Sequence, residues 1–224
     1  MTSDATRCMR RLAAILLISG AIAARTAAAL TSGFDAGTEG WKAANLRISP
    51  FYTNPPGVLA LDDPVWTAAG GNPDGTIAWT DVDENYFTFS APAAFLGDHH
   101  DAYGGSLSFD MKVTESDGVP QPGVILVGAS QTLLFDLASP GSDWTHLSVS
   151  LVETGWYDSD GNSPSAQQMR DALGSLQAIY LTGDWFTGTE TANLDNVSLV
   201  APEPSSALLL GFVGAFAARR RRRG

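Results

Sequence analysis

The residues whose types and spacing most resemble a chemical site are Asp98, His99, His100 and Asp101. Imidazole and carboxylate groups are common metal ligands and proton carriers, so this run is a candidate metal site or acid–base pair. Adjacent residues rarely converge on one ion, however, and this run lies in a polar segment between two glycine-containing turns. We interpret it as a solvated loop, and the remaining histidine, His146, as a surface position at the head of a strand.

Paired carboxylates are the second kind of chemistry that the sequence offers. A glycosidase needs two carboxyl groups that face each other across a cleft, about 5 to 10 Å apart. The densest acidic run contains Asp81, Asp83 and Glu84, and we interpret it as a solvated turn before a strand at Tyr86. A Gly-x-Ser-x-Gly nucleophile elbow is also absent from the sequence after the leader. We therefore predict that the protein is not an enzyme.

The N-terminus is typical of a secretory signal peptide, which we assign to residues 1–29. Arg7, Arg10 and Arg11 precede an apolar run, and sites made of small residues follow between about Ala23 and Ala29. The only cysteine, Cys8, lies within this leader, so it cannot become the lipid-modified first residue of a lipoprotein. The exported chain is thus predicted to contain no disulfide, thiolate metal site or cysteine nucleophile.

The C-terminus, residues 201–224, has three parts in a fixed order. Pro202, Glu203 and Pro204 precede an apolar run of small residues, which ends in the arginines Arg219, Arg220, Arg221, Arg222 and Arg223. The run is shorter than the roughly 20 residues that span a bilayer core, so we expect only transient anchoring in the inner membrane. The arginines would stay on the cytoplasmic side. A simple tail anchor is the alternative.

This tail resembles the PEP-CTERM sorting signal of Gram-negative bacteria that secrete exopolysaccharide. The resemblance implies that a membrane enzyme, exosortase, recognises Pro202-Glu203-Pro204 and cuts nearby. The protein would then be released or attached at the cell surface, as happens after removal of a glycolipid-anchor signal. We accordingly expect the protein to be exported to the cell surface or extracellular matrix.

The charge of the body excludes nucleic acid as a partner. Nine of the 13 basic residues lie in the two termini, whereas only two of the 24 acidic residues do. Residues 30–201 therefore carry 22 acids against four bases, a net charge of −18. Because binding to a phosphate backbone relies on Lys and Arg, the expected partners are cations, neutral sugars or basic surfaces.

The body, residues 30–200, has the length of one domain and the pattern of a β protein. Apolar and polar residues alternate over 107–113 and 147–152, and short apolar runs at 124–127 and 133–135 fit buried strands. Pro164–Leu173 is the one predicted helix, with Ser163 as its cap. We predict an all-β, jelly-roll-like antiparallel β-sandwich with one short helix, flanked by hydrophobic helical signals at both termini.

Two stretches carry a second resemblance. Residues 86–98 combine an aromatic strand with Ala91-Pro92 and Phe95-Leu96-Gly97, and residues 102–110 contain Tyr103-Gly104-Gly105 before a strand. They resemble the signature of the laminin B domain, also called laminin domain IV, and further matches extend from about Phe34 to Leu199. The resemblance implies a non-catalytic extracellular module whose architecture is similar to that of jelly-roll carbohydrate-binding modules.

Calcium is the one cofactor that we consider. Sandwiches of the carbohydrate-binding type often hold a structural calcium between their first and last strands, where this chain offers Asp35 and Asp195. The spacing of Asp158, Asp160 and Asn162 also suggests a calcium loop, but it lacks the glycine and distal glutamate positions of an EF-hand. An acid-rich surface without calcium is the alternative.

Sugar binding would depend on the six tryptophans, because an exposed indole face can stack on a pyranose ring. Trp41, Trp144 and Trp156 match positions of the laminin B pattern, so the resemblance implies core or strand-edge roles for them. The candidates for an exposed glycan platform are the remaining three, although burial of each is the alternative: Trp66, Trp79 and Trp185.

We therefore predict a secreted, surface-sorted adhesion or scaffolding module of the bacterial envelope or exopolysaccharide matrix. Its expected partners are extracellular polysaccharide or surface proteins, with exosortase as the processing enzyme. A carbohydrate-binding module with a defined glycan site is the first alternative, and a polysaccharide-active enzyme is the second.

Overall fold

The computed structural model describes residues 29–47, 53, 55–81 and 85–202. Both predicted terminal signals lie outside these residues, except for Ala29, Ala201 and Pro202. The described residues belong to one compact unit. Among them, no helix is long and apolar enough to cross a membrane.

The domain is an antiparallel sandwich of two sheets, as predicted. The first sheet, sheet A, has the order β10-β7-β13-β5-β4, and β1 also pairs with β13. The second sheet, sheet B, has the order β11-β9-β8-β12-β6-β2-β3. The strands are β1 (Leu30–Ser32), β2 (Lys42–Leu46), β3 (Val58–Asp62), β4 (Val65–Thr67), β5 (Thr76–Thr80), β6 (Tyr86–Ser90), β7 (Ser106–Val113), β8 (Gln121–Val127), β9 (Thr132–Leu137), β10 (Thr145–Ser150), β11 (Trp156–Asp158), β12 (Ala178–Thr182) and β13 (Thr191–Val200).

The main core lies between the two sheets, and the alternation of the sequence explains which side chains enter it. On β7, Leu107, Phe109 and Met111 point into this core at every second position. Sheet B carries apolar residues on both faces: Leu126 joins the main core, whereas its neighbour Ile125 joins a second, smaller cluster. The continuous apolar runs predicted as buried strands are therefore strands covered on both faces.

The one α-helix among the described residues, α1, spans Ala166–Leu173 and lies close to its predicted position. Its cap is Ser165 rather than Ser163, because Ser165 and Gln168 form a capping box: each side chain accepts a hydrogen bond from the other residue's backbone N–H. Met169 and Leu173 are buried in the main core, so the helix has the structural role that its apolar stripe indicates. Two short 3₁₀ turns, Ala93–Phe95 and His100–Ala102, lie in the loop before β7.

Candidate functional site

Strand β13 organises the buried acids of the protein, because it changes partner along its length. Thr191–Leu194 pairs with β5, whereas Val197–Leu199 pairs with β1. A bulge between Asp195 and Ser198 marks the change. One group of acidic side chains lies at this change of partner, and a second lies just before β13 begins.

The first group is a network of five polar residues at the bulge, which we call the carboxylate–amide network: Asn72, Asp110, His146, Asp195 and Asn196. Asp195 is fully buried, and its two carboxylate oxygens accept hydrogen bonds from the backbone N–H of Asn72 (2.5 Å) and of Asn196 (2.7 Å). Asp110, its cross-strand neighbour on β7, accepts hydrogen bonds from both asparagine side chains, at 3.0 and 2.8 Å.

The loop before β5 is folded tightly onto this network. A Cβ atom added to Gly71 would lie 2.6 Å from Asp195 Oδ2 and 2.1 Å from the carbonyl oxygen of Gly75. A Cβ atom on Gly75 would lie 2.0 Å from the carbonyl oxygen of Phe34. The glycines therefore let the loop bring the Asn72 N–H to the buried carboxylate, which explains how this segment positions the site.

The predicted calcium ligands Asp35 and Asp195 differ in burial. Asp195 is buried, whereas Asp35 is exposed in the turn after β1. Burial raises the pKa of Asp195, and the charges of Asp110 and Asp35 raise it further, while the Asn72 and Asn196 N–H groups lower it. The calcium site at these two residues stays a prediction.

The second group contains Asp81, Asp184 and Glu190, which we call the acidic triad. One carboxylate oxygen from each residue lies within 4.8 Å of those of the other two. Asp81 and Glu190 are buried, at 3 % and 1 % exposed, and Asp184 is half-buried. The interpretation of Asp81 as part of a solvated turn is therefore wrong. A sugar ring would not fit between carboxylates this close and this buried, so the triad does not have the open cleft of a glycosidase.

The backbone fixes the geometry of the triad. Asp81 follows β5 and Glu190 precedes β13, and the Asp81 N–H donates to the Glu190 carbonyl oxygen at 2.9 Å. Asp184 lies in the loop between β12 and β13, where its N–H donates to the Phe87 carbonyl oxygen at 3.2 Å. The Trp185 N–H donates to Glu190 Oε1 at 2.9 Å. Three separate segments thus converge on one point.

Burial and mutual repulsion change the proton affinity of the triad. Burial, together with the charges of Glu190 and Asp81, raises the pKa of Asp184 to about 7. Burial also raises the pKa of Glu190, with a smaller contribution from the charge of Asp81. Both shifts have the direction expected for carboxylates that are buried close together.

The alternation of inward and outward side chains along a strand predicts the positions of two of these residues. Ile77 and Leu194 face each other in the core, and Trp79 and Ala192 are the next inward pair. Two further steps bring Asp81 and Glu190 to the same inward face, beyond the ends of β5 and β13. Asp184 carries no comparable signal, because its position depends on the course of a loop.

The predicted glycan platform does not form as one surface. Trp185 is 3 % exposed, and its Nε1 donates to the Thr182 carbonyl oxygen, so its prediction as an exposed platform residue is wrong. Trp79 is half-buried and packs against the main core. Trp66 is 36 % exposed on β4, and its Nε1 donates to the Phe34 carbonyl oxygen at 2.6 Å. Only Trp66 is therefore exposed enough for stacking.

The core roles implied for two other tryptophans are confirmed. Trp41 and Trp156 are both buried in the main core, at 0 % and 1 % exposed. Trp144 is half-buried beside β10, and the Lys112 ammonium lies 4.7 Å from the centre of its ring.

The histidine run is solvated only in part: His99 is half-buried, and its Nε2 is buried without a hydrogen-bond partner among the described residues. His100 and Asp98 are exposed and joined by a hydrogen bond of 2.8 Å, which lowers the pKa of Asp98 and raises that of His100. His146 is 65 % exposed at its side chain, as predicted, and it also donates to Asp110 Oδ1 at 2.7 Å. In the loop after β11, Asp158 accepts the N–H groups of Asp160 and Asn162. These bonds lower its pKa and close the turn.

Exposed apolar side chains gather on β3 and β4, the outermost strands of sheets B and A. Asp63 and Pro64 connect the two strands, so both edges lie on one side of the sandwich. We call this surface the apolar edge, and its members are 36 to 61 % exposed: Val58, Leu59, Leu61, Val65 and Trp66. Trp66 alone among them is also a predicted binding residue.

Comparison with known proteins places the chain in a family. The family model of Laminin B (Domain IV) matches residues 88–208. The basement membrane-specific heparan sulfate proteoglycan core protein of Mus musculus is 31 % identical over 119 residues, which are 49 % of this chain and 3 % of that protein. The chain thus corresponds to a small part of that relative's length.

A solved laminin domain shows the same fold. The L4b domain of human laminin alpha-2 superposes with a TM-score of 0.60 at 14 % identity, over 78 % of this chain and 98 % of that one. A family 11 carbohydrate-binding module from a Clostridium thermocellum cellulase gives a TM-score of 0.48 at 12 % identity, over 79 % of this chain and 96 % of that one. Since the family model matches more than half of its residues, the chain belongs to the laminin B (domain IV) family.

Proposed function

We propose that the protein is a non-catalytic binding module that is exported and sorted to the bacterial cell surface. Its binding surface, in this proposal, is the apolar edge of β3 and β4. The observation that carries the proposal is the exposure of five large apolar side chains on two strand edges, where proteins normally place charges or proline. Exposed apolar side chains that lie together on a surface often mark an interaction site.

The composition of the edge favours a protein partner over a glycan. Four of its five members are aliphatic, and aliphatic side chains pack against apolar protein surfaces, whereas sugars stack on aromatic rings. The outer backbone of β3 can also accept an additional strand. Because residues 30–201 carry a net charge of −18, we expect a partner with an apolar strand or groove bordered by basic side chains. The name of the murine relative, a proteoglycan core protein of basement membrane, supports a role in a matrix.

Site-specific photo-crosslinking on intact cells tests this proposal. A photoreactive residue placed at Leu61 should give one discrete crosslinked product, because Leu61 would face the partner. The matched control places the same residue at Val119, which is 63 % exposed in the loop between β7 and β8. Equal products from both positions, or none from Leu61, would contradict the proposal.

A glycan site is the second candidate, and Trp66 is the observation that favours it. Its indole is held by the hydrogen bond to Phe34, so little side-chain entropy would be lost on stacking against a sugar. We expect Trp66→Ala to lose binding to the host's exopolysaccharide and Trp66→Phe to keep it, as measured by co-sedimentation. Unchanged binding in Trp66→Ala would exclude this site.

The sorting route is a further part of the proposal, supported by the resemblance of the tail to a PEP-CTERM signal. Strand β13 ends at Val200, so recognition of Pro202-Glu203-Pro204 by exosortase would release the domain just after its last strand. Mass spectrometry of protein recovered from the cell surface should show a chain that ends near Pro202. A surface protein that still contains Arg219 to Arg223 would contradict this route.

If the domain binds a single calcium ion, Asp35 and Asp195 are the alternative position that we propose for it. The burial of Asp195 supports it. Exhaustive treatment with chelator, followed by elemental analysis and a melting curve, tests for any bound ion. The variant Asp35→Asn assigns the ion, because it removes one ligand from an exposed position.

A further inference from the structure

The acidic triad brings three carboxylates together in a body that has few basic side chains. Residues 30–201 contain only four basic side chains. Lys42 lies 2.5 Å from Asp63, Lys112 lies over the Trp144 ring, and Arg170 lies 3.7 Å from the centre of the Tyr103 ring. Three of the four bases are therefore engaged away from the triad.

A second observation points to a missing ligand. Glu190 is 1 % exposed, and its Oε2 is buried without a hydrogen-bond partner in the part of the chain that the structure describes. A buried, unpartnered carboxylate oxygen is costly, because neither water nor a donor replaces its lost hydration. This oxygen belongs to the residue that contributes one of the three converging carboxylates.

We propose that Asp81, Asp184 and Glu190 bind one calcium ion. The set offers only carboxylate oxygens, which suit hard cations and not the softer transition metals. Calcium fits better than magnesium, because calcium accepts irregular arrangements of six to eight oxygen ligands, whereas magnesium requires a near-octahedral shell. The oxygens converge to within 4.8 Å of one another, a spacing compatible with ligands on a common ion.

The position of the triad suggests what the ion would do. It would tie the loop between β12 and β13 to the end of β5. This loop also holds the loop after β7: the Asp117 N–H donates to the Trp185 carbonyl oxygen, and Asp117 Oδ2 accepts the N–H and hydroxyl of Thr187, all at 2.8 Å. Calcium would thus stabilise two connected loops at one end of the sandwich.

Terbium luminescence gives a direct test on the mature protein, because Tb³⁺ takes calcium sites and is excited by a nearby tryptophan. Trp185 lies next to Asp184 and bonds to Glu190, so its excitation should sensitise terbium in the triad. We expect terbium luminescence that decreases when added calcium displaces the terbium. It should fall at least tenfold in Glu190→Gln and Asp184→Asn, and persist in the control Asp35→Asn.

A melting curve supplies the second readout. With calcium at about 100 times its Kd, the melting temperature should rise by about 5 to 10 °C over the chelated protein. Asp184→Asn should fold normally, since it removes repulsion, and it should lose this calcium-dependent rise. The proposal is overturned if wild type shows neither signal, or if both persist in Asp184→Asn and Glu190→Gln. Loss of the signals in Asp35→Asn alone would assign the ion to the other site and overturn it equally.

Discussion

Two groups of buried acids lie along β13, and they differ in what faces their charges. In the carboxylate–amide network, all four oxygens of Asp110 and Asp195 accept hydrogen bonds from asparagine or histidine donors or from the backbone. In the acidic triad, carboxylates face one another and Glu190 Oε2 has no donor among the described residues. Hydrogen bonds compensate for the burial of the carboxylates in the network, whereas the carboxylates of the triad require a proton or a cation.

The difference arises from the loops that reach β13. The glycine-containing loop before β5 brings Asn72 to the bulge, where its backbone and side chain both donate. The loop between β12 and β13 brings Asp184 to Glu190, which adds a charge where the first loop adds donors. We therefore expect the network to be structural without an ion and the triad to respond to calcium.

The largest effect should come from breaking the network with Asp195→Ala. This change leaves the Asn72 and Asn196 N–H groups buried without their acceptor. The free energy of unfolding should fall by about 2 to 4 kcal/mol, as measured by urea denaturation. The control Asp62→Ala, at an exposed position on β3, should change stability little. A similar loss in both variants would show that the network is not stabilising.

A substitution in the triad should raise the free energy of unfolding instead of lowering it when no ion is bound. In chelator, Asp184→Asn should raise the free energy of unfolding by about 1 kcal/mol, a value reduced for the partial exposure of Asp184. The amide removes one of three charges and can donate to Glu190. Urea denaturation in chelator measures the change. A destabilised variant under these conditions would contradict the description of the triad as electrostatically unfavourable.

The stability of the chelated protein should also depend on pH, and this dependence should differ between wild type and Asp184→Asn. The pKa of Asp184 is raised to about 7 in the folded protein, above its ordinary value of 3.8. Its contribution to stability is therefore fully present below pH 3.8 and is lost as the pH rises through about 7. Between pH 5 and 8, wild type should lose more stability than Asp184→Asn does. Parallel pH profiles of the two proteins would argue against this shift.

Asp35→Asn should have the smallest effect. Asp35 is exposed, so removal of its charge should change the free energy of unfolding by less than about 0.5 kcal/mol. If calcium binds at Asp35 and Asp195 instead of the triad, this variant should lose the calcium-dependent rise in melting temperature. Thermal melts with and without calcium distinguish these outcomes.

The sequence predicted the sandwich well because alternation is a local property of each strand. Leu107, Phe109 and Met111 enter the core as their spacing indicates, and α1 lies where an apolar stripe predicts it. The helix cap was displaced by two residues because two serines offered alternative caps. The triad was missed because Asp81 is separated by more than 100 residues from Asp184 and Glu190, and the pairing of β5 with β13 brings the ends of those strands together.

Exposure of the tryptophans was harder to predict for a related reason. Trp66 and Trp185 both lie near polar, glycine-containing turns, yet Trp66 is on an edge strand and Trp185 is buried within the loop between β12 and β13. Local composition does not distinguish these positions. The order of strands within the two sheets does, because it places β3 and β4 at the outside.

Calorimetric titration of calcium into chelated mature protein tests the central contrast most directly. We predict one calcium ion per chain in wild type and in Asp35→Asn, and loss of that binding in Glu190→Gln. Absence of calcium binding in wild type would contradict the account. So would binding that survives in Glu190→Gln and disappears in Asp35→Asn.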